Sequence, residues 1–260
     1  MKFDIKKIIF YTTLFISLVL LVVLVNIVYS NFMNKLALEN DVSKVSNTFS
    51  IDKIVLFSSC SADSNINSNN TNTINNLTQY TDIAVFINNS ATEFNLENTL
   101  KSVSIKDIVF NETPTNGIPN LYYKSLTSFA TPDFLEENKI DSTLDFSVTS
   151  SDEIDYSSPT LYNNCANPIT LCYVNSNIVN NYTIDNSNSI AYDGSLLKSC
   201  NVLLNNIKAK ISFTIYIENN QGEKFRCPVY IDIPLGEGDV SIYDGSYTYT
   251  YNPEYVFYKY

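Results

Sequence analysis

The chain has no histidine and no tryptophan, and Arg226 is its only arginine. Without imidazole there is no Ser-His or Cys-His pair, no imidazole metal ligand, and no side chain that titrates near neutrality unless its surroundings perturb it. The usual hydrolase and zinc-site chemistries therefore drop out. Basic residues never cluster, so the phosphate contacts that hold a nucleic acid have no source, and no nucleic-acid partner is expected. The net charge is −11, and because the first thirty residues carry Lys2, Lys6 and Lys7 against Asp4 alone, about −13 is left for the remainder.

Charge is missing altogether from Ile8 to Tyr29. About 20 apolar residues cross a 30 Å hydrocarbon layer, so this stretch is read as a transmembrane helix over 8–30. The lysines before it place 1–7 in the cytoplasm and everything beyond about residue 31 outside the cell, a single-pass signal-anchor at the cell membrane. Tyr11 and Tyr29 fall near the two ends, where interfacial aromatics belong. A cleaved signal peptide is the competing reading, with Val28 and Ser30 flanking Tyr29 before a cut after Ser30. The lipid bilayer is the expected partner of 8–30, and Asn26 inside the run is an amide that seeks a neighbour in lipid.

Residues 31–50 carry no Gly or Pro, and Phe32, Leu36 and Leu38 allow them to extend the helix as a stem. From 51 to 260 the expectation is a β-rich ectodomain. Ile54 to Phe57 reads as a strand, and 58–80, a run of Ser, Asn and Thr, reads as a polar loop. Short segments rich in Ile, Val, Phe, Tyr and Thr follow: Asp82 to Ile87, Ser102 to Phe110, Leu121 to Leu126, Thr143 to Val148, Ile169 to Val174, Ser199 to Leu204, Lys210 to Glu218 and Lys224 to Ile233. In the last two, Ile211, Phe213, Ile215 and Ile217 alternate with polar neighbours before Asn219 to Glu223 turns the chain, which predicts a β-hairpin with one buried face. Pro228 cannot donate to a ladder and points to an edge or a bulge. One helical turn is expected from Thr131 and Pro132. The fold class is thus mainly β, a transmembrane helix followed by an antiparallel β-sandwich-like ectodomain.

The cysteines are Cys60, Cys165, Cys172, Cys200 and Cys227. In an oxidising compartment Cys165 with Cys172 is the preferred disulfide, because Asn167-Pro168 lets the chain double back, and Cys200 with Cys227 is the weaker one. Asp63, Asn65 and Asn67 match the start of a calcium loop, but Ser68 and Ile74 stand where glycine and a bidentate glutamate are needed. Asp232, Glu237, Asp239 and Asp244 form a further acidic group. Asp152, Glu153 and Asp155 supply carboxylates without a cleft geometry. The S-x-x-K spacing at Ser50 to Lys53 and Ser195 to Lys198 lacks its companion elements. Asn69, Asn76, Asn88, Asn111 and Asn181 begin glycosylation sequons. Tyr192-Asp193-Gly194-Ser195 recurs as Tyr243-Asp244-Gly245-Ser246, which in a Tyr- and Asp-rich chain reads as coincidence before duplication.

The segment 240–260 is rich in tyrosine, with Tyr247, Tyr249 and Tyr251 on one face of a possible strand. Rings in a row stack on sugars, anchor a protein interface, or cover a neighbouring sheet. No enzyme, cofactor or metal is implied. The expected function is a membrane-anchored extracellular protein that binds, adheres or scaffolds, with a protein or glycan partner. A subunit of a membrane-bound assembly (virion envelope, division or secretion complex) is the alternative, and an anchored hydrolase the third.

Overall fold

The computed structural model describes residues 5–66, 71–89, 93–125, 136–150, 158–184, 190–237 and 240–260. The chain divides into two units, Met1–Val45 and Ser46–Tyr260.

The first unit is α1 (Ile5–Ser43), 39 residues of unbroken helix. Its stretch Phe10–Asn40 is long and apolar enough to cross a membrane, and none of its most apolar window is buried. In lipid a lone segment must satisfy its own backbone, which only a helix does. Asn26 follows the same rule, its amide donating to the Val22 carbonyl at 2.9 Å. The stem expected over 31–50 is helix as far as Ser43, held in part by a Lys35–Glu39 pair one turn apart. Strand structure then begins at Val45 rather than at 51.

The second unit contains β1 (Val45–Ile66), β2 (Asn72–Asn89), β3 (Leu100–Glu112), β4 (Ile118–Tyr123), β5 (Leu144–Thr149), β6 (Thr160–Tyr162), β7 (Ile169–Val179) and β8 (Tyr182–Ile184). A short α2 (Ser195–Ser199) precedes β9 (Lys210–Asn219), β10 (Lys224–Asp232), β11 (Gly236–Glu237), β12 (Val240–Ser241), β13 (Tyr247–Tyr251) and β14 (Val256–Lys259). Strands make up 53% and helix 21%, so the chain is mainly β with one long apolar helix.

Twelve strands share one open, curled sheet in the order β4-β7-β2-β1-β14-β10-β9-β3-β5-β6, with β13 and β8 added beside β1 and β2. Pairing is antiparallel except between β5 and β6. The curl brings the inner faces together. Phe110 of β3 meets Tyr173 of β7 at 6.4 Å, and Tyr123 of β4 meets Phe146 of β5 at 6.3 Å. Such ring pairs add about 0.5–1.5 kcal/mol beyond the area they bury. This packing is compatible with the sandwich expectation, although a single sheet does the work of two.

The β9–β10 hairpin has the predicted alternation, with Ile211, Phe213, Ile215 and Ile217 facing Val229, Cys227 and Phe225 on the buried side. Pro228 sits in unbroken register with Thr214, so there is no bulge. Its other side is an edge, because β14 pairs only with Phe225 and Arg226.

Two expectations are corrected. The segment 58–80 is not a loop: Ser58–Ile66 and Asn72–Tyr80 are paired strand, leaving only 67–70 undescribed at the tip. Its polar composition hid a buried face made of Ser58, Cys60, Ile74, Leu77 and Gln79. Ser199 to Leu204 is not a strand either. Asp193 accepts from the backbone N–H and the hydroxyl of Ser195 and starts a helical turn, so Leu196, Leu197, Cys200 and Val202 point inward at helical spacing. The turn expected from Thr131 lies outside the described residues.

Candidate functional site

Strand β13 pairs with β1 from Ile54 to Ser58, and its period of two sets Tyr247, Tyr249 and Tyr251 on one side. Their rings stack in succession, 6.5 Å from Tyr247 to Tyr249 and 5.6 Å from Tyr249 to Tyr251. Facing them is the end of β10, where Tyr230 and Asp232 occupy the outward positions of the hairpin alternation. Pro234 and Tyr255 complete a cleft of about 440 Å³. The candidate interface residues are therefore brought together, and Tyr230, Asp232, Pro234 and Tyr255 join them.

Hydrogen bonding fixes one wall. The hydroxyls of Tyr255 and Tyr251 both donate to the Tyr230 carbonyl, at 2.9 and 3.4 Å, and the Tyr230 N–H donates back to Tyr255 Oη at 3.3 Å. Burial first, then the neighbouring Tyr255 and the Asp232 carboxylate, pushes the Tyr251 phenol up, so that ring stays neutral. Tyr230 is 60% exposed and Tyr249 38%, so both residues remain partly in solvent. No lysine or arginine lines the cleft among the described residues. The signal for Tyr230 was present in the hairpin pattern, since a large aromatic on the polar side of an alternating strand has no core to fill.

No protein family, curated protein or solved structure matches this chain. The site must be judged on its own geometry.

The other candidates have different fates. Neither disulfide is formed, and all five cysteines are free thiols. Cys172 is a central-strand residue between Asp82 of β2 and Tyr122 of β4, with its thiol directed to the Tyr173 carbonyl at 3.5 Å. Cys165 instead closes a turn, its N–H bonded to the Tyr162 carbonyl at positive φ. Cys227 donates to the Pro228 carbonyl, while Cys200 lies near Cys60. Burial pushes the thiols of Cys165 and Cys227 up to about 12 and that of Cys200 up to about 11. None is therefore a nucleophile at neutral pH.

Asp63 and Asn65 lie in β1 opposite Asn75 and Thr73, an extended geometry that cannot wrap a calcium ion, and Asn67 lies outside the described residues. Asp244 is used in a capping box, accepting from the Ser241 N–H at 3.1 Å. Glu237 is on β11, Asp232 joins the cleft, and Asp239 is undescribed, as are Asp152, Glu153 and Asp155. Lys53 Nζ lies over the Phe86 ring and Ser195 donates to Asp193, so neither S-x-x-K pair assembles. Asn76, Asn88, Asn111 and Asn181 are exposed, whereas Asn69 lies outside the described residues.

The repeated tetrapeptides touch. A Cβ on Gly194 would sit 2.1 Å from the Gly245 carbonyl oxygen, so the two segments pack backbone to backbone. They are not a duplicated unit, because Gly194 is helical and Gly245 has φ near 131°.

A second polar group is sealed inside. Asp82 and Lys124 form an ion pair at 3.4 Å with each side chain at most 7% exposed. On the other face of β2, Gln79 stands opposite Asn175 of β7, both fully buried, and Asn175 Nδ2 donates to the Asn116 carbonyl at 2.9 Å. The Gln79 amide and the Tyr173 hydroxyl have no partner among the described residues. A solute cannot reach these groups, and the cleft is the candidate site.

Proposed function

We propose that this is a non-enzymatic binding protein, anchored in a membrane by α1 with its β unit outside the cell, and that the tyrosine cleft is the face it presents to a partner. The single supporting observation is the cleft: a ring ladder on β13 facing Tyr230 and Asp232, left half open where a purely structural cluster would be covered. Aromatics are the side chains that concentrate binding energy in interfaces, because they bury much area for little lost freedom. The length and apolarity of α1 support the anchor, and the lysines before it support a cytoplasmic N-terminus.

The test starts from the full-length protein in its native membrane. Alkaline carbonate should leave it with the vesicles, and protease added outside intact cells should reach the C-terminal tyrosines. Mild-detergent purification followed by identification of co-purifying molecules should then give a set that Tyr249→Ala depletes. A variant that folds as the wild type and retains every partner would remove the cleft from the function, and release by carbonate would remove the anchor.

A further inference from the structure

The lining of the cleft also says which chemistry it accepts, on the reading that the cleft is the binding face. Its walls offer tyrosine ring faces and one carboxylate. Ring faces are negative at their centres and attract cations held within about 6 Å of the centroid. The Tyr247–Tyr249–Tyr251 ladder sets three such rings along the cleft, and Tyr230 lines it with them.

Asp232 is exposed at the cleft. Its register partner on β9 is Lys210, whose Nζ pairs with Glu112 Oε2 at 3.6 Å, and Lys208 and Lys210 line the adjoining depression, which Asp232 also borders. The positive charges of this region thus lie outside the tyrosine cleft, in a chain of net charge −11.

A neutral sugar fits less well. It needs several donors and acceptors around a ring platform, and here the hydroxyls of Tyr251 and Tyr255 are already given to the Tyr230 carbonyl. An anion would meet the Asp232 carboxylate with no basic group among the described lining residues to offset it. A volume of about 440 Å³ holds a compact alkylammonium group with room for its substituent.

We infer that the cleft binds an organic ammonium ion, held against the ring of Tyr249 and its tyrosine neighbours and balanced by the Asp232 carboxylate. A quaternary ammonium group and a lysine side chain share this chemistry, and their affinities separate the two sources.

The experiment is a calorimetric titration of the full-length protein in maltoside detergent with tetramethylammonium, choline, N-acetyl-lysine methylamide and 3,3-dimethylbutanol, the neutral isostere of choline. At least one cation should bind about tenfold or more tighter than the neutral isostere. Asp232→Asn should weaken that cation about tenfold and leave the isostere unchanged, while Tyr249→Ala weakens it about fivefold. Tyr249→Phe, which keeps the ring face, should restore it. Affinities of all the cations no higher than that of the isostere, indifference of the tightest cation to Asp232→Asn, or no cation binding at all would overturn the inference. If the cations fail while partners captured from native membrane still depend on Tyr249, the binding face survives and only its ligand class is wrong.

Discussion

Two regions of the β unit collect polar and aromatic groups, and they do opposite things with them. Along β2 and β7 the polar side chains are shut in: Asp82 pairs with Lys124, Asn175 donates to the Asn116 carbonyl, and Gln79 is buried beside it. Along β10 and β13 the same kinds of group stand at the rim, with Tyr230 and Tyr249 partly in solvent. Buried charge is costly and is tolerated when paired, whereas a half-open aromatic wall costs little and remains available. Groups that look alike in sequence thus separate into a seam that specifies the fold and a cleft that can meet a ligand.

The contrast can be broken from the inside first. Lys124→Met strands the Asp82 carboxylate in the core and should cost about 3–5 kcal/mol in denaturant unfolding, while the double variant Asp82→Leu/Lys124→Met should recover most of it. Next comes Gly117→Ala. Its Cβ would fall 2.1 Å from Asn175 Oδ1 at a φ of +99°, and the strain plus the displaced amide should lower stability by about 2 kcal/mol. At the rim the effect shrinks: Tyr249→Ala should cost about 1 kcal/mol or less in thermal melting, since it loses ring stacking but little burial. A loss as large as that of Lys124→Met would mean that the ladder belongs to the core.

The smallest effect sharpens the comparison through pH. Burial raises the Asp82 carboxyl above its ordinary value, outweighing the pull of Lys124. Folded protein then holds that proton more tightly than unfolded protein does. The stabilising contribution is complete below the ordinary carboxylate range and is lost as pH rises through the raised value. The stability of wild type relative to Asp82→Asn should therefore fall as pH rises from acid, and a flat difference would mean that burial does not perturb the Asp82 carboxyl.

The elements with a strict period were legible in the sequence. The uncharged run after Lys7 and the alternation from Lys210 to Asp232 gave α1 and the β9–β10 hairpin directly, because an unbroken apolar run and a period of two are each simple patterns. The paired strands hidden in 58–80 were not legible. There Ser58 bonds to Thr81 across the β1–β2 ladder and Gln79 is buried, so polar residues occupy core-facing positions and erase the contrast on which the reading depends. Tyr247, Tyr249 and Tyr251 were legible as a face, but their opposite wall was not, since Asp232 and Tyr230 reach it only through the course of β10. The cysteine pairings failed because spacing along the chain says nothing of which strand face a sulfur occupies.

Tyr230 also matters for what it denies to neighbours. A strand margin without a backbone partner is a ready template for pairing with another chain. Two phenols occupy the Tyr230 carbonyl, and Pro228 offers no N–H two residues earlier. A passing strand finds neither a free acceptor at Tyr230 nor a donor at Pro228 on which to begin pairing.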